Sequence, residues 1–120
     1  MSTQSILRIA ALYHGLLGLV LLLQPEAFHT ATQLEPRSDY FFAGLVGGVL
    51  LAGSAACEAA RKNQDLLQGV GFLMMLSSLV AAGAGLFWVV WADLSPLLYA
   101  SVGASGLWAY LFWGVYSPEN

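Results

Sequence analysis

Charge is what this 120-residue chain has least of: Asp, Glu, Lys and Arg make up 9% of it, against about 25% in soluble domains. The four basic residues, Arg8, Arg37, Arg61 and Lys62, form no clustered basic face, which argues against nucleic acid as a partner. Cys57 is the lone cysteine. It excludes an intramolecular disulfide, a CxxC redox pair and a cysteine-rich metal site, and is expected to be a small buried apolar side chain. No proline interrupts any apolar run, so the broken helices of a transporter are missing. There is no HExxH, no paired histidine on one helix, no phosphate-cradling glycine loop and no Ser-His-Asp set. No catalytic residue and no metal site are expected.

What is present is apolar: 58% of the chain is hydrophobic, 12% is aromatic and 13 residues are glycine. A soluble domain of this size buries only part of its surface, so only a membrane protein accommodates this composition. The runs fall into four spans, about 6–23, 40–60, 66–92 and 96–115. The first, Ile6 to Leu23, would be about 27 Å long, just enough for a hydrocarbon core of roughly 30 Å. A secretory signal peptide is the competing reading. The small-residue cleavage site is poor, and a retained spanning helix is expected.

The connection from Glu26 to Asp39 is the one long link, with Phe28, Ala31 and Leu34 placed for a short surface helix. Arg61 to Gln64 reads as a tight polar turn, and Asp65 with Gln68 as a capping box. Ser95 and Pro96 read as the N-cap and first residue of the last helix. The fold class expected is all-α, an integral membrane four-helix bundle with antiparallel up-down connectivity. Arg8, Arg61 and Lys62 fall on the side of both termini and Arg37 on the other, which puts both termini on the cytoplasmic side. Aromatic belts are expected at Tyr40, Phe41, Phe42, Phe87, Trp88, Trp91 and Tyr99, and at Tyr110, Phe112, Trp113 and Tyr116.

The densest run of small residues is GLVGGVLLAGSAACE, Gly44 to Glu58. Gly44, Gly48, Ala52 and Ala56 repeat every four residues and read as the ridge on which a neighbouring helix packs. The centres of the last two spans are small as well, from Ser77 to Gly85 and from Ala100 to Gly106, suiting close packing or a cavity for a flat ligand.

His14 is the candidate for chemistry, because an ionisable group near the middle of a span is by default functional. Ala10 and Gly18 flank it, which turns it toward protein. It is a ligand to the metal of a haem or chlorophyll-type pigment, a proton carrier, or a hydrogen-bond donor to a quinone carbonyl. The alternative is a neutral imidazole bonded to a hydroxyl or carbonyl on the next helix. His29 reads as a surface residue. Arg8 and Glu58 lie about 9 Å and about 12 Å to the inner side of their helix midpoints. They read as a structural ion pair fixing helix register, with a proton entry point or a headgroup contact as the functional alternative.

LRIAALYHGLLGLVLLLQP, a polar loop with Arg37, then FFAGLVGGVLLAG and the basic Arg61-Lys62 pair resemble the DoxX-like group of small four-helix bacterial membrane proteins. The resemblance implies an accessory subunit of a redox or quinone-linked membrane enzyme. The expected function is therefore a non-catalytic accessory, assembly or stabilising subunit of a larger membrane complex. Its partners would be the lipid bilayer and other membrane subunits or a second copy. The alternative is a membrane binding module holding quinone, pigment, haem or a sterol-like lipid beside His14. A bacterial inner membrane and an organellar membrane fit equally.

Overall fold

The computed structural model describes residues 1–27, 41–92 and 96–117. Among the described residues every regular element is helical. In chain order they are α1 (Thr3–Leu23), α2 (Phe41–Lys62), a single 3-10 turn (Gln64–Leu66), α3 (Leu67–Ala92) and α4 (Pro96–Tyr116). They form two compact units, Met1–Asn63 and Gln64–Asn120. The expected surface helix at Phe28 to Leu34, His29, Arg37 and the Ser95 cap lie outside the described residues.

Helix α1 starts three residues earlier than its apolar run, at Thr3, because Ser2 caps it. The Ser2 backbone is extended (φ −73°, ψ 153°), and its hydroxyl accepts the Ser5 N–H at 3.2 Å. The helix ends where the Gln24 N–H donates to the Val20 carbonyl at 2.8 Å. Its 21 residues span about 31 Å. One stripe is buried: Ile6, Leu7, Ala10, His14, Gly18 and Leu21. The rest is equally apolar yet exposed, including Leu12, Leu16 and Leu23.

Helices α1 and α2 pack antiparallel, with contact partners rising along one as they fall along the other. Leu22 meets Gly44, Gly18 meets Gly47, Gly15 meets Ser54, and Gln4 meets Arg61. The two backbones are closest at Gly18 and Gly47. A Cβ on Gly18 would sit 2.8 Å from the Gly47 carbonyl oxygen, and one on Gly47 would sit 2.8 Å from the Gly18 oxygen. No side chain fits there, so both positions require glycine. Nearby, the Ser54 hydroxyl donates to the Ala11 carbonyl across the seam at 2.6 Å.

The seam with α1 runs along a different stripe from the expected ridge. Gly44 borders α1, its absent Cβ lying 4.0 Å from Leu22 Cδ1. Gly48 has nothing within 4 Å, and Ala52 is exposed. The contacts with α1 run through Gly44, Gly47, Leu51, Ser54 and Arg61, in steps of three, four, three and seven residues. A strict four-residue repeat drifts around the helix by about 40° per step, since 3.6 residues make a turn. Alternating three and four keeps one face toward the partner. Cys57 and Ala60 are buried beside this stripe.

The second unit opens on a 3-10 turn at the place of the expected capping box. Asp65 lies inside the 3-10 turn Gln64–Leu66, and the α-helical hydrogen-bond pattern begins at Leu67. The polar turn is shorter than expected, because Arg61 and Lys62 still belong to α2. Helices α3 and α4 are again antiparallel: Gly71 lies against Tyr116, and Gly85 against Val102. A Cβ on Gly71 would be 2.8 Å from the Tyr116 backbone nitrogen. Met74 and Ser78 on α3 are buried, as are Trp108, Ala109, Phe112 and Val115 on α4. Phe112, expected in a belt, is fully buried, with its ring 5.6 Å from that of Trp108. Ser77, Ala81, Gly83, Ala100, Ser101, Gly103 and Gly106 are exposed rather than gathered around a cavity.

Gly18→Ala and Gly47→Ala each drive a methyl into a backbone oxygen, and each is expected to destabilise the first unit by roughly 1–3 kcal/mol. Gly48→Ala faces open space and is expected to leave stability unchanged or slightly raised. Thermal or denaturant unfolding in detergent, followed by helical circular dichroism, separates the three.

Candidate functional site

His14 is 6% exposed, on the stripe between Ala10 and Gly18. Its Nδ1 lies 2.8 Å from the Ala10 carbonyl oxygen. A carbonyl only accepts, so Nδ1 carries the proton, and in the neutral ring Nε2 holds the lone pair. This carbonyl belongs to the preceding turn of α1. The Tyr13 ring stands edge-on to the imidazole, with centroids 5.2 Å apart and planes at 80°. A tautomer held by a backbone carbonyl is how ligating histidines are commonly oriented, and it equally satisfies a buried imidazole.

The hydroxyl at this level of the seam donates to α1's backbone. Ser54 reaches Ala11, one turn before His14, and its Oγ lies 2.9 Å from where a Cβ on Gly15 would be. Gly15 thus makes room for Ser54, and the bond ties the helices together beside the histidine. Neither Gly47 nor Ser54 was singled out as a packing residue by the four-residue count. The signal for both was there in the three-and-four alternation running back from Glu58.

Arg8 and Glu58 are the charged rung of the same seam. Arg8 lies between the Gln4–Arg61 and Ala11–Ser54 contacts, which puts it level with Cys57 and within one residue of Glu58. The expected ion pair between them is nevertheless absent among the described residues. Both oxygens of Glu58 are engaged from its own helix: Arg61 Nε lies 2.9 Å from Oε2, and Arg61 Nη2 lies 2.7 Å from Oε1. Lys62 Nζ is 3.6 Å from Oε1. Residues three and four apart on a helix are neighbours, and the two-point arginine geometry is strong. Glu58 therefore takes its nearest cations and leaves Arg8 exposed. The Glu58 hydrogen bond, then its charge, raises the Arg61 guanidinium above its ordinary value. An exposed pair of this kind adds little stability.

Among the described residues no three of His, Cys, Asp and Glu come together as a metal site. Cys57 is buried with a free thiol. On α3 the Ser77 hydroxyl donates back to the Leu73 carbonyl at 2.7 Å, a local bond that competes with nothing across the unit. No protein-family model, curated protein or solved structure matches the chain.

Among the described residues two helical stretches, Thr3–Leu23 and Gln64–Leu86, are long and apolar enough to cross a membrane. Ser54→Ala removes the inter-helix bond while Ala11 keeps its place in the α1 ladder. It is expected to lower stability by about 0.6 kcal/mol, the average for such bonds in membrane helices. Unfolding of Ser54→Ala beside Ser54→Thr, which keeps the hydroxyl, measures it.

Proposed function

We propose that the chain is an integral membrane four-helix protein that serves as an accessory, assembly or stabilising subunit of a larger membrane complex. The observation that carries this reading is the exposure of its apolar surface. The core helix of a soluble protein is mostly buried, whereas 33% of the α1 window and 11% of the Gln64–Leu86 window are buried. Leu16, Leu23, Val49, Leu73 and Val80 are each more than 60% exposed. Apolar patches on that scale mark membrane or protein contact. Lipid leaves every such side chain satisfied, and the helices close their own backbone hydrogen bonds.

A subunit role fits what the helices offer. Their polar atoms go to seams and caps, and the small residues left outside, Gly48, Ala52, Gly83, Gly103 and Gly106, suit close approach by further helices. The pattern that resembles the DoxX-like group supports the same role, beside a redox or quinone-linked enzyme. The basic residues at the end of α2 support a cytoplasmic placement of that end.

A second reading is favoured by His14 alone: a binding module holding quinone, pigment, haem or a sterol-like lipid. Its fixed tautomer makes Nε2 the atom that would bind a metal or accept a hydrogen bond.

Solubilising the native protein in mild detergent and recovering it by affinity is expected to bring other membrane subunits with it. Recovery of a lone monomer, with full activity in some assay, would overturn the subunit reading. A spectrum and a lipid extract of the same sample test the second: visible absorbance or quinone lost in His14→Leu would establish it. A colourless, quinone-free preparation unchanged by that substitution removes it.

A further inference from the structure

We propose that the charged end of the α1–α2 seam holds the phosphate of an anionic phospholipid, between Arg8 on α1 and Arg61 and Lys62 on α2. The proposal rests on the membrane reading above and adds a ligand and a site to it. It starts from the mismatch at that rung. Register places Arg8 within one residue of the level of Glu58, yet the carboxylate is held by Arg61 at two points and approached by Lys62.

Three cations thus share two turns of the seam with a single acid. Arg8 is exposed, without an ion pair among the described residues, and lies in a helix apolar enough to cross a membrane. It sits five residues inside the start of α1, about 7.5 Å along the axis. An arginine at that depth is costly in hydrocarbon unless its head reaches an anion or the interface. The phosphate layer is the anion that lies within reach of a side chain near a helix end.

The geometry of the rung favours a phosphate bridging both helices. Gln4 Nε2 donates to the Arg61 carbonyl at 3.3 Å, which holds the two helix ends together and brings Arg8 one turn from the Arg61-Lys62 pair. Lys62 is more open than Arg61, its side chain 70% exposed, and its distance to Glu58 leaves its donors available to a second oxygen. Arginine grips a phosphate at two points and lysine as a point charge. Glu58 sets the affinity: it neutralises one of the three cations and leaves a net positive rung. A zwitterionic lipid places its own ammonium beside the phosphate and gains less from that rung than an anionic one.

The full chain is reconstituted into vesicles of equal parts phosphatidylcholine and phosphatidylglycerol, extracted in mild detergent, and its retained lipid identified by native mass spectrometry. Phosphatidylglycerol is expected to be retained over phosphatidylcholine. Arg8→Gln and Lys62→Gln are each expected to lower that preference by about fivefold, the effect of one basic residue near an anionic surface. Glu58→Gln raises it, and Arg8→Lys largely keeps it. If Arg8→Gln fails to insert, Lys62→Gln and Arg8→Lys decide the matter, since both retain the close contacts of the seam. Equal retention of the two lipids, or a preference unchanged in Lys62→Gln, overturns the proposal while insertion itself upholds the membrane reading. Release of the whole chain from vesicles by alkaline carbonate overturns both. Excess inorganic phosphate is expected to leave the lipid in place; its displacement would show a site for free phosphate and overturn the lipid.

Discussion

The close approach of two glycine backbones, Gly18 on α1 and Gly47 on α2, is the constraint from which the first unit follows. Each glycine faces the carbonyl oxygen of the other where a Cβ would have to sit. At that separation the helices gain dispersion over many atoms and weak Cα–H contacts to oxygen. The crossing fixes register along both helices. It brings Ser54 to Ala11, lays Gly15 under the serine, turns His14 inward and leaves the last rung to Arg8 and Glu58. A slip of one residue would swing every one of these off the seam.

Much of the helical architecture was legible because apolar run length and capping are local signals. The starts and ends of the helices moved by one to three residues, at Ser2 and at Lys62, where a single side chain or a basic pair carries the helix past its apolar run. Which glycines pack was not legible from spacing alone. GLVGGV offers Gly44, Gly47 and Gly48, and the choice depends on the partner helix, whose glycines at 15 and 18 are themselves three apart. Only the pairing of two three-and-four stripes selects Gly47 over Gly48. Asp65 shows the same limit, since a 3-10 turn and an N-cap begin with the same residues.

For the candidate site, burial of His14 followed from its small neighbours, Ala10 and Gly18, and those neighbours are where they were expected. Its bond to Ala10 did not follow, because a histidine can always turn back to the carbonyl four residues before it, and nothing in the sequence opposes that. The rung at Arg8 was legible in depth and in sign. It was misread in partner, because Arg61 competes for Glu58 from one turn away with no chain to bring together. Short-range geometry won at both residues.

The break at Asn63 has a consequence for how the chain is made. Each unit closes its own glycine contact between helices adjacent in sequence, so no strongly packed pair within a unit waits for residues from the other. Contacts that local form early and fast. The first hairpin can lock at Gly18 and Gly47 while the residues after Asn63 are still emerging from the ribosome, since domains generally fold as units during synthesis. The second then closes at Gly71 and Gly85 without reopening the first.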